Sequence, residues 1–340
     1  VMNSSVDLGI QYLGLSLPPP VIASSRDFTA SPASIEKLAK SGAGAIAIKS
    51  LVEEQLRMAI DPLQMNNMFG TYDYNEAYIA YYTKKNEVSN YLKLISESKK
   101  RVSVPVIASI HCSTAEGWTS FAAEVEKAGA DALELNVFLM PSDPLQSEAH
   151  IRSLYHSVVD GVRAHTRLPL ALKLHSHFTD MAAFMAEISR KVDALVLFNR
   201  FFSPDIDTEN LQITHAGSFS QPSDYYTVLR WIGILSGKVS SCLSASGGIH
   251  DGQAVIKSLL SGADAVQIAS ALYLNGENSI TTMLDELRQW MIRKEFSAIV
   301  DFRGKLSRNN IHRPELYERA QFMKYFSDFQ YSAGKASGHE

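Results

Sequence analysis

Two lysines lie inside apolar runs of the chain, where a charge is costly. Lys49 follows Ala-Ile-Ala-Ile, and Lys173 stands within Leu-Ala-Leu-Lys-Leu. A buried ammonium group needs a partner, unless it snorkels to solvent from a strand end. Asn136 and Asn199 end two further apolar runs. Together these side chains offer fixed positive charge and amide hydrogen bonds, which suit a planar, electron-accepting ring such as a flavin.

Two turns late in the chain form a second chemical feature. Residues 246–249 read Ser-Gly-Gly-Ile, and residues 267–272 read Gln-Ile-Ala-Ser-Ala-Leu. Each turn ends an apolar run and opens a helix-like run, so backbone N–H groups and a helix dipole would face an anion. On adjacent strands, the pair predicts the phosphate cradle that follows the last two strands of a TIM barrel. Either turn alone also fits an ordinary strand-to-helix connection.

These residues stand at the ends of short strand-like runs that alternate with amphipathic, helix-like stretches. Apolar strands separated by helices indicate a parallel sheet covered by helices. Eight such units predict an α/β fold, the (β/α)₈ TIM barrel, in which polar residues at the carboxyl ends of the strands form the site. The predicted strands are 21–25, 43–50, 104–112, 132–138, 169–175, 194–200, 241–247 and 265–272.

Further segments surround the predicted barrel. Residues 7–17 predict an N-terminal β-hairpin, and residues 280–294 and 314–329 predict extra C-terminal helices. We expect a single domain over residues 1–332 and a disordered tail over 333–340.

Two connections, 51–75 and 201–223, are longer than a barrel needs. Both follow strands at the carboxyl-end face, which predicts a lid or a substrate wall. A surface insertion or a subunit contact is an equal alternative.

Composition excludes several classes of protein. The chain has 340 residues, a net charge of -4 and two cysteines. It therefore has no global basic field for nucleic acid, and no apolar run reaches the length of a membrane span. Two cysteines indicate a reducing compartment, and neither a signal peptide nor a metal-ligand spacing is found. We expect a cytoplasmic protein without a metal.

In order and spacing, the strand-end motifs resemble the flavin site of the dihydroorotate dehydrogenase family. The resemblance covers most of the chain, and 107–113 is also similar to a strand of the related dihydropyrimidine dehydrogenase flavin domain. The motifs that carry it are Val21-Ile22-Ala23-Ser24-Ser25, Ile48-Lys49-Ser50, Glu134-Leu135-Asn136-Val137, Leu172-Lys173-Leu174, Leu197-Phe198-Asn199, Ser246-Gly247-Gly248-Ile249 and Ala269-Ser270-Ala271.

The resemblance implies FMN bound across the barrel mouth and oxidation of dihydroorotate to orotate, a CH–CH oxidation of pyrimidine biosynthesis, with a soluble electron acceptor. It also implies a homodimer, and it assigns Asn136 and Asn199 to the polar groups of the substrate. The cofactor-binding residues that it implies are Ala23, Ser24, Lys49, Ser50, Asn136 and Lys173 at the ring, and Ser246, Gly247, Gly248, Ala269 and Ser270 at the phosphate.

The substrate half of the family pattern is degraded in this chain. Members that oxidise dihydroorotate carry Asn-x-Ser-Cys-Pro-Asn, or serine in place of the cysteine, and that cysteine or serine is the base. Here Leu139 stands at the base position, and leucine cannot accept a proton. The second asparagine falls on or near Pro141, and the Asn-Ser-Met-Gly loop has only a faint counterpart at 66–70.

Other residues must then supply the base and the anion contact. His175 follows Lys173 and titrates near neutral pH, although strand alternation leaves its direction open by one residue; Ser142 is an alternative. Arg200 could clamp a carboxylate with its forked guanidinium, or form a salt bridge to Asp205 or Asp207. The candidate catalytic residues are Lys49, Asn136, Asn199 and His175.

The sequence leaves three functions open. The first is an FMN-dependent oxidoreductase of the dihydroorotate dehydrogenase type. The second is a flavin-binding member of that family with another substrate or without dehydrogenase activity, because Leu139 replaces the base. The third is a flavin-free barrel lyase or isomerase that binds a phosphorylated substrate and uses Lys173 as a Schiff-base amine.

Overall fold

The computed structural model describes residues 6–52, 74–112, 119–137, 139–200 and 203–318. A hairpin of β1 (Ile10–Tyr12) and β2 (Leu15–Leu17) comes first. Eight parallel strands follow it: β3 (Val21–Ala23), β4 (Ala45–Ala47), β6 (Val106–Cys112), β7 (Ala132–Val137), β8 (Leu170–Leu174), β9 (Ala194–Leu197), β12 (Cys242–Ser246) and β13 (Ala265–Ile268). The remaining strands are β5 (Leu51–Val52), β10 (Pro204–Asp207) and β11 (Gln212–His215).

Helices alternate with the parallel strands along the chain. The described helices are α1 (Pro32–Lys40), α2 (Tyr74–Lys99), α3 (Thr119–Lys127), α4 (Glu148–Arg163), α5 (Met181–Ile188), α6 (Tyr225–Leu235), α7 (Gly252–Ser261), α8 (Ser270–Asn275) and α9 (Asn278–Arg293). Among the described residues, none of the helices combines the length and apolarity that crossing a bilayer requires.

The eight parallel strands close into a barrel. Their order is β4-β3-β13-β12-β9-β8-β7-β6, and β4 pairs with β6 through Ile46 opposite Val106 and Ala47 opposite Ile107. The strands are buried on both faces, because helices cover the outside while side chains fill the interior. The predicted (β/α)₈ TIM barrel is confirmed.

The predicted N-terminal hairpin is confirmed, and it packs against the amino ends of the barrel strands. Tyr12, Leu13 and Leu17 are buried in one cluster with Ala45 and Ala132, which begin β4 and β7. Small residues at the strand starts leave room for these larger side chains. Burying each of the larger ones contributes about 1.5–3 kcal/mol. The amino end of the barrel is therefore core, and the carboxyl end is left for a site.

The helix starts follow the capping residues that precede them. The Ser31 hydroxyl accepts a hydrogen bond from the Ser34 amide at 3.2 Å, and the Asp251 carboxylate accepts one from the Ala254 amide at 2.8 Å. Each bond satisfies an amide that has no partner within its own helix.

The long connection after β9 folds differently from the predicted loop. It contains the antiparallel hairpin β10–β11, which turns where the Asp207 side chain accepts hydrogen bonds from the amides of Glu209 and Asn210, both at 3.0 Å. After β4, the described part of the predicted 51–75 connection consists of β5, which pairs with β6, and of the first two residues of α2.

At the C-terminus, α9 confirms the predicted helix over 280–294. The second predicted helix, 314–329, begins as a single 3₁₀ turn at Pro314–Tyr317. The remainder of that helix and the predicted tail 333–340 lie outside the described residues. The single domain over 1–332 stays a prediction.

Candidate active site

A cavity of about 330 Å³ opens at the carboxyl ends of the barrel strands. Parallel strands bring all these ends to one rim, so residues far apart in the sequence meet there. Most of the predicted site residues line this cavity: Ser24, Lys49, Ser50, Asn136, Lys173, Asn199, Ser246, Gly247, Gly248, Ala269 and Ser270. Ala23 is wholly buried in β3 and does not line it.

Lys173 lies on the floor of the cavity in a network of four side chains. Its Nζ donates to Gln267 Oε1 at 2.8 Å and to Ser24 Oγ at 3.0 Å, and it lies 3.5 Å from Glu134 Oε1. Burial lowers the pKa of Lys173, while the nearby Glu134 carboxylate raises it. The charge of Lys173 is thus partnered, as its apolar sequence context requires.

A second network crosses the rim from β3 to β9. The Ser25 and Ser50 hydroxyls are 2.8 Å apart, and Ser50 Oγ lies 2.7 Å from Ser109 Oγ. Ser109 Oγ accepts a hydrogen bond from Asn136 Nδ2 at 2.9 Å, and Asn199 Nδ2 donates to Asn136 Oδ1 at 3.3 Å. Both predicted carboxamides are therefore held by neighbouring side chains at the mouth of the barrel.

Lys49 provides the second positive charge of the rim. Its Nζ lies 2.7 Å from Asp27 Oδ1, and its side chain is 46% exposed. The hydrogen bond and the charge of Lys49 lower the pKa of Asp27, and the Tyr273 hydroxyl, 3.4 Å from Asp27 Oδ2, acts in the same direction. The ammonium group of Lys49 therefore stands at the wall of the cavity, oriented by one carboxylate.

The glycine turn after β12 has the geometry of a close-approach site. Gly248 has a φ of 70°, and a Cβ placed there would lie 2.3 Å from the backbone nitrogen of Tyr225. Only glycine fits this conformation and this contact without displacement.

The neighbouring turn after β13 is covered by the segment that follows the β10–β11 hairpin. Ser270 Oγ accepts hydrogen bonds from the Ser220 amide at 2.9 Å and from the Ser220 hydroxyl at 3.0 Å. One guanidinium N–H of Arg200 donates to the Phe219 carbonyl at 2.6 Å. Arg200, Ser218 and Ser220 thus line one side of the cavity.

From the sequence, Arg200 has an alternative role, a salt bridge to Asp205 or Asp207, and the structure shows a different partner. Arg200 pairs with Asp224, with Nη1 and Oδ2 3.8 Å apart, rather than with Asp205 or Asp207. Ser142 is exposed on the segment after β7, and it does not line the cavity.

His175 is placed outside the cavity lining. Its ring is buried, stacks on Phe178 with centroids 4.5 Å apart, and accepts a hydrogen bond at Nδ1 from the His177 amide at 3.0 Å. Burial, chiefly, lowers the pKa of His175 to about 4. The structure brings Lys49, Asn136 and Asn199 together at the mouth, but it does not bring His175 to them.

Gln267 lines the cavity and Glu134 contacts Lys173 beneath it, but neither is named as a site residue from the sequence. Each is a polar residue inside an apolar central strand, the same signal that singled out Lys173. Glu134 precedes Asn136 by two positions, so strand alternation places both on one face. In the described parts of the chain, no group of three or more His, Cys, Asp or Glu side chains is arranged to hold a metal ion.

The fold and its mouth define a (β/α)₈-barrel protein with a cavity lined by polar side chains at the carboxyl ends of its strands. The family model described as dihydroorotate dehydrogenase matches residues 8–291. The chain therefore belongs to the dihydroorotate dehydrogenase family, whose members are oxidoreductases, and the predicted family is confirmed.

Similar proteins include catalytic subunits of dihydroorotate dehydrogenase B (NAD(+)). The subunit from Thermoplasma acidophilum is 24% identical over 311 residues, and that from Pyrococcus furiosus is 24% identical over 309. Each match covers 88% of this chain and 98% of the relative. A putative dihydroorotate dehydrogenase A (fumarate) from Aeropyrum pernix is 23% identical over 224 residues, covering 62% of this chain and 71% of that protein.

The buried His175 ring predicts a pH-dependent stability. Because its pKa is about 4 in the folded chain and about 6.5 when exposed, the unfolded state binds the proton more tightly. The free energy of unfolding should therefore fall by about 2–3 kcal/mol as the pH drops from 6.5 to 4. Urea denaturation across this range should show a shallower fall for His175→Gln than for the parent chain. The exposed His165 provides the control variant His165→Gln, which should keep the parent slope; an equal slope in His175→Gln would contradict the assignment.

Proposed function

We propose that the protein is an FMN-dependent oxidoreductase that oxidises a CH–CH bond of dihydroorotate or of a related cyclic compound. The observation that carries this proposal is the convergence of Lys49, Lys173, Asn136 and Asn199 with the Gly247-Gly248 turn in one cavity. Family membership supports the same chemistry, which for dihydroorotate belongs to pyrimidine biosynthesis. The names of the relatives suggest NAD(+) or fumarate as soluble electron acceptors.

The residues at the mouth fit FMN at both of its ends. Main-chain N–H groups of the Gly247-Gly248 turn, with Ser246, Ala269 and Ser270, would hold the phosphate. A Cβ at Gly248 would collide with the backbone of Tyr225, so only glycine allows this turn at the edge of the cavity. The ring would be held by Ser24, Lys49, Ser50, Asn136 and Lys173, which line the cavity, whereas Ala23 is buried beneath them. When bound, FMN supplies a two-electron acceptor for a hydride.

The remaining polar groups of the wall bind and orient the substrate. Asn136 and Asn199 present carboxamides that recognise the polar edge of a cyclic amide. Arg200 lines the cavity and is held by the Phe219 carbonyl, and its planar fork matches a substrate carboxylate. The two lysines stabilise negative charge that develops at the mouth.

The proton of the reaction needs an acceptor, since position 139 is a leucine that packs against the hydrophobic core. Among the described ionisable groups that line the cavity, guanidinium groups accept no proton, Asp27 is paired with Lys49, and Lys173 is held in its buried network. His111 lines the same cavity, on β6 beside Asn136 of β7. A neutral imidazole has a ring nitrogen that accepts a proton, so we assign the proton-accepting role to His111.

Leu139 supports a second candidate, a flavin-binding family member that acts on another substrate or has lost dehydrogenase activity. The two candidates differ in one experiment: dihydroorotate bleaches the bound flavin only in the first. A flavin-free lyase with Lys173 as a Schiff-base amine is less well supported, because Lys173 Nζ already donates to Ser24 and Gln267.

We further propose a homodimer, and a cytoplasmic location on the basis of cysteine usage. The hairpin β10–β11 carries Ile206 and Ile213 as a cross-strand pair, with Leu211 in its turn, and all three side chains are exposed. An apolar patch on a projecting hairpin favours a contact with a second copy.

FMN binding is the first test of the proposed function. The purified chain should carry or take up FMN and show the visible absorbance of an oxidised flavin. Gly248→Ala should weaken FMN binding about ten- to a hundredfold, because its Cβ would overpack the turn. The control Gly14→Ala also has a positive φ but meets no atom within 4 Å, and should bind normally. A chain that stays colourless and takes up no FMN would end both flavin hypotheses.

Proton transfer is tested at His111. In a stopped-flow experiment, dihydroorotate should bleach the flavin of the parent chain, and His111→Asn should slow this step about a hundredfold or more while FMN binding changes little. The exposed His312, replaced by Asn, is the matched control. Unchanged bleaching in His111→Asn would refute the role of His111. Absence of bleaching in the parent chain would favour the second candidate function. In that case, fumarate, NAD(+) and quinones should be compared as electron acceptors of the photoreduced protein.

The dimer is tested on the hairpin. Ile213→Asp should convert a dimer to a monomer in sedimentation analysis, because it buries a charge in the proposed contact. Leu145 is exposed elsewhere, and Leu145→Asp should leave the dimer intact. A monomeric parent chain, or a dimer that survives Ile213→Asp, would refute the contact.

A further inference from the structure

Glu134 is an acidic side chain at the centre of the barrel, and the proposed function gives it no role so far. It lies in the middle of β7 and has no exposed surface. Its Oε2 accepts a hydrogen bond from Gln267 Nε2 at 2.6 Å, and its Oε1 faces Lys173 Nζ at 3.5 Å. A buried carboxylate without partners would be strongly unfavourable, so this residue is explained only together with its neighbours.

The orientation of Gln267 connects a donor with an acceptor. Its carbonyl oxygen accepts from Lys173 at 2.8 Å, while its amide nitrogen donates to Glu134. An ammonium group only donates and a carboxylate only accepts, so one carboxamide satisfies both when Lys173 is protonated and Glu134 is ionised. The orientation of Gln267 therefore suits an ion pair of Lys173 and Glu134.

We propose that Glu134 is a positioning residue that keeps the Lys173 ammonium charged and directed at the floor of the mouth, where FMN would bind. The role of this charge in binding FMN rests on the proposed function, whereas the pairing of Glu134 with Lys173 does not. A neutral pair can be buried in the barrel more readily than a lone ammonium, while its positive member remains the one that lines the cavity. Glu134 itself does not line the cavity and acts through Lys173.

The charged groups around Lys173 act in opposite directions. Burial and the charge of Arg26, which follows β3, both lower the pKa of Lys173, and Glu134 raises it. The other contacts of Lys173 are the neutral Ser24 and Gln267. Without the Glu134 carboxylate, burial and the charge of Arg26 would remain, and both lower the pKa of Lys173.

The proposal is tested by the titration of Lys173 in the full-length chain, followed by NMR on protein labelled with ¹³C-lysine. The Cε resonance of Lys173 is assigned by its loss in Lys173→Met. In the parent chain Lys173 should stay protonated at neutral pH, and in Glu134→Gln its titration midpoint should fall by about one pH unit or more. Glu134→Asp, which keeps the charge, should recover most of the parent midpoint.

A matched control separates the local charge from a general disturbance. Lys99 pairs with Asp131 at 2.6 Å on the outside of the barrel, so Asp131→Asn also removes a carboxylate from an ion pair and should leave the Lys173 midpoint unchanged. A neutral Lys173 in the parent chain at neutral pH, or the same midpoint in Glu134→Gln as in the parent, would overturn the proposal. The first of these outcomes needs no variant, so the proposal stays testable if Glu134→Gln does not fold.

FMN titrations of the same samples separate this inference from the proposed function. In Glu134→Gln, FMN should bind about tenfold more weakly once the pH exceeds the lowered midpoint, while the parent affinity stays level over that range. If the parent binds no FMN, the proposed function fails and the lysine titration still decides the role of Glu134. If both chains bind FMN with the same pH dependence and the same Lys173 midpoint, only the role of Glu134 fails.

Discussion

The pairing of β4 with β6 is the constraint on which the rest of this molecule depends. It joins the two ends of a parallel sheet, through Ile46 opposite Val106 and Ala47 opposite Ile107, and so converts a row of strands into a ring. In a ring of parallel strands every carboxyl end lies on one rim. Lys49, Asn136 and Lys173, which are far apart in the sequence, line one cavity for this reason.

Much of the barrel could be predicted because local physics and global fold agree. Strands that are buried on both faces read as apolar throughout, and a polar residue inside such a run, such as Lys173, must reach either a partner or a site. Capping residues such as Ser31 and Asp251 stand directly before α1 and α7 and accept hydrogen bonds from amides of the first turn. The cavity lining contains most residues named from strand ends, since strand type and strand direction together fix where those ends lie.

The sequence was less informative where the direction of a side chain depends on the exact end of a strand or on a partner far away in the sequence. Alternation would give Lys173 and His175 the same direction if β8 continued, but β8 ends at Leu174, and the His175 ring turns to stack on Phe178. The β10–β11 hairpin depends on side-chain bonds at its turn that composition does not reveal. Glu134 and Gln267 become meaningful only when closure brings β7, β8 and β13 around one interior.

The interior of the barrel therefore differs between its two ends, apolar at one and hydrogen-bonded at the other. At the amino ends, alanines such as Ala45 receive the large side chains of the β1–β2 hairpin and form a dry core. Towards the carboxyl ends, the same space holds a hydrogen-bonded ion pair, which can be buried because Gln267 satisfies both members. Leu139, by contrast, packs against the core beside a mouth of polar groups. The charge that would serve a cofactor is thus built into the barrel itself, whereas Arg200 lies beyond the end of β9 and is held by the Phe219 carbonyl, outside the ring of strands.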